Sequence, residues 1–382
     1  MLVSVVRCSK TDDFDSINKA LESALHLIGG IESLVSRGDT VLMKPNILSA
    51  YHYKTGAVTN PHVIRALSRS AKQVGASTLL IGEGSAVGSE TDEAFVASGI
   101  STVADEENVE LVDLKKAKTI RMGIPNGKIF HRIEIPEVVM QADVIINVPV
   151  MKTHDAFPAT LGLKNMKGVI QEKDKKRFHK WGLAQSIVDL NKLVLPQLTV
   201  IDGTIAMEGM GPCHGTPVNF ETMVSSFDTL AADAVAASIM GIDPMEIEYI
   251  KLGAEQGLGC ADLSQIEVVG LSIEEVRRPF QRIEMDFAAY KKQGIEIHEA
   301  GACSGCRHVI QALLIDYLKN NVNLLRDRTL IFGQTVKIPE TIRRKLLNFG
   351  LCTRRYRDRG EYIPGCPPHP LDALAYLQKR KP

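Results

Sequence analysis

Four of the seven cysteines fall in the last eighty or so residues: Cys303, Cys306, Cys352 and Cys366. Cys303-Ser304-Gly305-Cys306 has the two-residue gap that lets both sulfurs reach one metal centre. It lies between a predicted strand and a predicted helix, where backbone amides and the helix dipole favour thiolate over thiol. Cys366 sits in a similar place, within Pro364-Gly365-Cys366-Pro367-Pro368. The prolines fix that turn and Gly365 allows close backbone approach to a bulky group. Cys352 follows Phe349-Gly350. Four thiolates from loops at one end of a small sheet suit a [4Fe–4S] cluster. Zinc also accepts four cysteines, although zinc ribbons usually carry two CxxC knuckles and this chain has one. Separate buried thiols are the third account.

A second group of polar residues lies further upstream. Lys44 and Asn46 follow one predicted strand, Lys152, Thr153 and His154 follow the strongest one, and Asp202 ends a third. Ligands of parallel α/β sheets bind at such carboxyl ends. Lys44 and Lys152 are candidate catalytic cations for a carboxylate or phosphate, with His154 as proton donor. Asn46, Lys164, Asn165, Lys167, Asp202 and Glu208 are candidate substrate-binding residues. Gly162 and Gly168 bracket a basic run that continues through Lys173–Lys180, with Arg177 and His179. It reads as a mobile cationic flap over an anion or, equally, as a solvated basic surface. A metal site from Asp202, Glu208 and His214 is a weaker expectation. Gly82-Glu83-Gly84-Ser85 reads as a tight turn rather than a phosphate loop, because Glu83 repels phosphate.

Positioning these residues requires a scaffold. Thr40–Met43, Thr78–Ile81, Glu110–Leu114, Asp143–Val150, Leu198–Ile201 and Gln265–Gly270 read as strands. Helical patterns separate them, one opened by the Asn60 cap with Pro61. The expectation is an α/β fold with a mostly parallel sheet covered by helices, over residues 1–284. A second, smaller α/β domain is expected over 285–382, with strands at Gly294–His298, Thr329–Phe332 and Glu361–Ile363 and helices at Gly305–Lys319 and Pro370–Gln378.

The 382 residues include 45% hydrophobic and 24% charged side chains, a globular composition. Lys plus Arg equals Asp plus Glu, at 45 each. That balance argues against a dedicated nucleic-acid binder. Val144–Met151 is too short and too interrupted for a bilayer span, and the first residues turn polar too early for a signal peptide. An odd cysteine count without such a signal points to reduced thiols or ligands in the cytoplasm.

Two resemblances follow from these motifs. The C-terminal cysteine pattern resembles that of the small subunits of nickel–iron hydrogenases and the related cluster subunit of respiratory complex I. It covers about 80 residues and implies one [4Fe–4S] cluster on the four cysteines. Met43-Lys44-Pro45-Asn46, Val148–His154, Leu163–Gly168, Ile201-Asp202-Gly203 and Glu208–Pro212 resemble the domain of unknown function numbered 362. Many members carry ferredoxin-type clusters after that domain; this chain lacks their repeated CxxCxxC run. The expected function is an iron–sulfur oxidoreductase acting on a small anionic substrate, supplied by an electron-donor protein. Two alternatives stand beside it: a non-redox maturation or scaffold protein, and an isomerase or lyase with a structural cluster.

Overall fold

The computed structural model describes residues 1–154, 157–282, 287, 290, 294–314, 323–326, 328–342 and 344–379. The chain divides into two compact units, 1–282 and 283–382.

The β-branched runs of the first unit form β1 (Leu2–Arg7), β2 (Thr40–Pro45), β3 (Thr78–Glu83), β4 (Glu110–Asp113), β5 (Thr119–Gly123), β6 (Arg132–Pro136), β7 (Val144–Val148), β8 (Val150–Thr153), β9 (Ala159–Thr160), β10 (Leu198–Glu208), β11 (Thr216–Ser226) and β12 (Glu267–Gly270). Ten of them share one sheet, in the order β12-β1-β11-β10-β7-β2-β3-β4, with β8 and β9 attached beside β10. β5 and β6 pair separately. Most neighbours are parallel; β11 runs antiparallel to both β1 and β10. The mostly parallel α/β architecture expected from the sequence is therefore present.

Both faces of the sheet are covered, as its side-chain alternation requires. Leu42, Leu80 and Ile145 belong to one core, while Val41, Met43, Ile81 and Ile146 belong to the other. Asn60 caps the Pro61–Gln73 helix, its side chain accepting from His62 N at 3.1 Å.

Three expectations are corrected. The single strand Asp143–Val150 is two strands, because Pro149 has no N–H for the ladder and interrupts it. Lys152 and Thr153 thus lie inside β8. Asp202 does not end its strand: β10 continues to Glu208, with a register shift between Gly203 and Ile205. The basic run is not a wholly solvated surface. It forms the Glu172–Trp181 helix, which buries Asp174, Lys175 and Phe178.

In the second unit, β13 (Glu296–Glu299), β14 (Arg328–Phe332), β15 (Lys345–Phe349) and β16 (Glu361–Ile363) form a four-stranded sheet in that order, all parallel. Ile310, Leu330, Phe332, Leu347, Phe349 and Ile363 are central to its core. The expected Gly305–Lys319 helix spans Ser304–Ala312; residues 315–322 lie outside the described set. β15 had no counterpart in the sequence reading.

Candidate functional site

The parallel register decides where the cysteines go. Since β13 to β16 all run the same way, their carboxyl ends share one edge. β13 leads to Cys303, which caps the Ser304–Ala312 helix, with Cys306 in its first turn. β15 leads through Gly350, at φ 84°, to Cys352. β16 leads through Gly365, at φ 138°, to Cys366. Gly350 N donates to Ile363 O at 2.9 Å and Leu351 N to Gly365 O at 2.7 Å, tying the last two loops together.

Glycine at 350 and 305 permits the close approach. A Cβ on Gly350 would stand 3.1 Å from the Cys306 sulfur, and one on Gly305 would stand 3.2 Å from Pro367. The hydrogen bond from Cys306, together with backbone amides at 303, 305 and 306, brings the Cys303 thiol down to about 6. Cys306 moves up, through its bond to Cys303, its burial, and the negative charge of Cys303, Cys352 and Cys366. Cys306 therefore lies within electrostatic reach of Cys303, Cys352 and Cys366. Among the described residues, no three His, Cys, Asp or Glu side chains close tightly enough to hold a single metal ion. The metal site expected from Asp202, Glu208 and His214 is not formed.

The first unit gathers a different chemistry. Lys44 on β2, in register with Asn147 on β7, is fully buried. Its ammonium donates to Glu83 Oε2 at 2.9 Å and to Pro45 O at 2.7 Å. Glu83 also accepts from Ile47 N at 2.9 Å and Gly84 N at 2.8 Å, which satisfies its carboxylate. The expected strand-end cation is thus an internal ion pair. Glu83, at the Gly82-Glu83-Gly84-Ser85 turn, has its lysine partner 39 residues away in the chain.

Lys175 and Lys152 are buried and pair with no carboxylate among the described residues. Lys175 donates to Ser85 O at 2.9 Å and to Gly84 O. Lys152 donates to Ala57 O at 2.7 Å. Burial brings each ammonium down to about 7, and the charge of Lys164 adds to the effect on Lys152. Burial lowers Lys44 too, against the opposing pull of Glu83. Three buried lysines thus face one buried carboxylate.

Asn165 Nδ2 donates to Asn147 Oδ1 at 2.8 Å and to Lys44 O at 3.2 Å. The buried amide oxygens of Asn46 and Asn165 have no hydrogen-bond partner among the described residues. Asn165 thus meets the Lys44–Pro45 backbone just before Asn46, and Lys164 acts on Lys152. His154 is half-buried, with its ring 6.0 Å from that of Phe157.

Three more of the expected binding residues are held by side-chain partners of their own. Lys167 Nζ is 2.5 Å from His179 Nε2. Asp202 is buried and accepts from Asn60 N, Thr204 N and Thr204 Oγ1, so it braces the bulge in β10. Glu208 forms a two-pronged pair with Arg278 at 2.8 and 2.9 Å and accepts from Gln281 N. These partners fix the positions of both carboxylates. Lys175 was missed as a site residue, although its spacing from Phe178 places both on one helical face.

The lysines set a pH dependence. Their folded values lie below the unfolded value near 10.5, so above about pH 7 the unfolded chain binds more protons. The burial penalty is complete below about pH 7 and fades as pH rises. Unfolding free energy is expected to rise by roughly 2 kcal/mol per lysine between pH 7 and about pH 9. Denaturant unfolding followed by Trp181 fluorescence checks this. Lys152→Met or Lys175→Met should flatten the slope; an unchanged slope contradicts the assignment.

Comparison with known proteins adds the following. A thylakoid-associated protein of Synechocystis sp. is 28% identical over 263 residues, covering 67% of this chain and 79% of that protein. The lactate racemase apoprotein of Thermoanaerobacterium thermosaccharolyticum superposes with a TM-score of 0.41 at 13% identity, over 63% of this chain and 57% of that one. A Thermotoga maritima protein gives 0.39 at 11% identity, over 64% and 59%. The chain spans less than two thirds of either solved structure. Residues 41–238, just over half the chain, match the domain of unknown function DUF362. The chain therefore belongs to the DUF362 family.

Proposed function

We propose that this chain is an iron–sulfur protein, an oxidoreductase that moves single electrons to or from a small anionic compound. The observation that carries the proposal is the delivery of Cys303, Cys306, Cys352 and Cys366 to the carboxyl edge of one parallel sheet. The donor set fits the group: four thiols, with glycines at 305 and 350 where a side chain would crowd them. A [4Fe–4S] cluster takes one thiolate per iron, so its ligands need not close on a point as they do around zinc. When bound, it supplies a one-electron couple. Seven reduced thiols suit a cytoplasmic setting. No helix among the described residues is long and apolar enough to cross a membrane.

Three buried lysines with one carboxylate, beside two unpartnered amide oxygens, support an anion as the ligand of the first unit. Lys152 and Lys175 neutralise its charge, Lys44 is held in place by Glu83, and Asn46 and Asn165 accept from its hydroxyl or amine groups. The lysines near neutrality favour a second reading, in which Lys152 moves a proton in an isomerase or lyase and the cluster is structural.

The test is anaerobic reconstitution with iron, sulfide and competing zinc, followed by metal and acid-labile sulfide analysis. The proposal expects about four iron and four sulfide per chain. Uptake of one zinc per chain, with iron excluded, refutes it.

A further inference from the structure

The formal charge of zero conceals a division. Residues 283–382 carry 17 Lys and Arg against 10 Asp and Glu, a balance of +7. Residues 1–282 carry 28 against 35, a balance of −7. The unit that holds the four cysteines is the basic one.

Part of that charge stands directly beside a cysteine. Leu351–Arg359 is a 3-10 helix containing four arginines and one acid, Asp358. Side chains three residues apart eclipse one another in such a helix. Thr353, Tyr356 and Arg359 share one row; Thr353 is buried, Tyr356 packs against the small core of Ile331, Val336 and Leu346, and Arg359 at the helix end is exposed. Leu351, Arg354 and Arg357 form a second row, all exposed, with Leu351 at 49%. Cys352, Arg355 and Asp358 form the third.

The helix is held firmly. Arg355 donates to Gln334 O at 2.9 Å and Val336 O at 2.8 Å, and its guanidinium lies 4.8 Å from the Tyr356 ring centroid. Arg354 and Arg359 are exposed and make no hydrogen bond or ion pair among the described residues. Arg357 has a single exposed contact, to Asp358 at 3.6 Å. Exposed ion pairs of that kind contribute little, so its charge remains available to a partner. Exposed Leu351 shares a row with Arg354 and Arg357, Arg359 lies further along the same helix, and Cys352 is the next residue, which together make a compact apolar and cationic docking surface.

We propose that the Leu351–Arg359 face is the entry port for electrons, and that it docks a small acidic one-electron carrier protein. This rests on the iron–sulfur reading above. The carrier's acidic face meets Arg354, Arg357 and Arg359, and Leu351 packs at the centre of the contact. The carrier's reduced centre loses one electron and the oxidised cluster gains it; no bond forms or breaks. The acidic first unit repels the same carrier and steers it toward the basic one.

The test uses the full-length, cluster-loaded protein and a reduced acidic [2Fe–2S] ferredoxin of the plant type as the probe. Cluster reduction is followed by anaerobic stopped flow against ionic strength. The rate in the unaltered protein should fall steeply with added salt. Arg354→Glu with Arg359→Glu should slow it about tenfold or more at low salt and remove most of the salt effect. Arg354→Gln with Arg359→Gln should fall between. Iron content and reduction by dithionite should persist in both variants, which separates docking from folding. Equal rates in the variants and the unaltered protein overturn the proposal, as does a salt-independent rate. Loss of binding to phosphatidylglycerol vesicles, with the carrier rate unchanged, overturns it in favour of a lipid surface. A preparation that never takes up iron shows that the iron–sulfur reading itself has failed, and the proposal falls with it.

Discussion

Glu83→Gln is expected to destabilise the first unit by about 3–5 kcal/mol. The reason is the burial of Lys44, which has no exposed surface and no second carboxylate. The glutamine keeps the shape but removes the charge, leaving an ammonium in a desolvated position with Pro45 O as its remaining partner. It also replaces a charged acceptor of Ile47 N and Gly84 N by a neutral one. Adding Lys44→Met to Glu83→Gln should recover most of the loss, since an apolar side chain replaces the unpaired charge. The chain has one tryptophan, Trp181, and it lies in the first unit. Guanidinium unfolding followed by its fluorescence therefore reads this unit. A single variant as stable as the unaltered protein contradicts the account of the pair.

Cys366→Ser is expected to abolish the cluster or convert it to a three-iron form, with loss of the electron paramagnetic resonance signal of the four-iron state. Cys366 is delivered by a turn in which Gly365 has φ 138° and prolines follow. The other three cysteines, Cys8, Cys213 and Cys260, all lie in residues 1–282. This variant also separates the readings. Loss of electron uptake with both units folded supports the redox role. Loss of folding alone supports the structural cluster of an isomerase or lyase. Unchanged iron content contradicts the ligand assignment.

Much of the scaffold was legible because it rests on local rules. Thr40–Met43 and Thr78–Ile81 are β-branched and aliphatic runs of strand length, and both form strands. Asn60-Pro61 opens a helix by capping chemistry that needs no tertiary information. The strands before Cys303 and Cys366 were legible for the same reason, whereas β15, which leads to Cys352, was not.

The lysine site was only half legible. Lys44, Asn46, Asn165, Lys152 and Lys164 could be listed, but the carboxylate that holds Lys44 could not be chosen. Glu83 and Lys44 meet because β2 and β3 pair in parallel, a long-range fact. Asp202-Gly203 has turn chemistry, yet β10 runs through it, because pairing with β11 outweighs local preference. The Glu172–Trp181 helix was hidden by its charge. Its buried face contains Asp174 and Lys175 beside Phe178, and a burial pattern written in charged residues escapes a search for apolar periodicity.

The account depends most on four thiolates sharing one inorganic centre. Mössbauer spectroscopy of the chain reconstituted with iron-57 reads that centre directly. The account predicts one four-iron species that accounts for nearly all the iron, with every iron in a thiolate-type tetrahedral environment. Iron bound only as isolated ions, or in two-iron species, would contradict it.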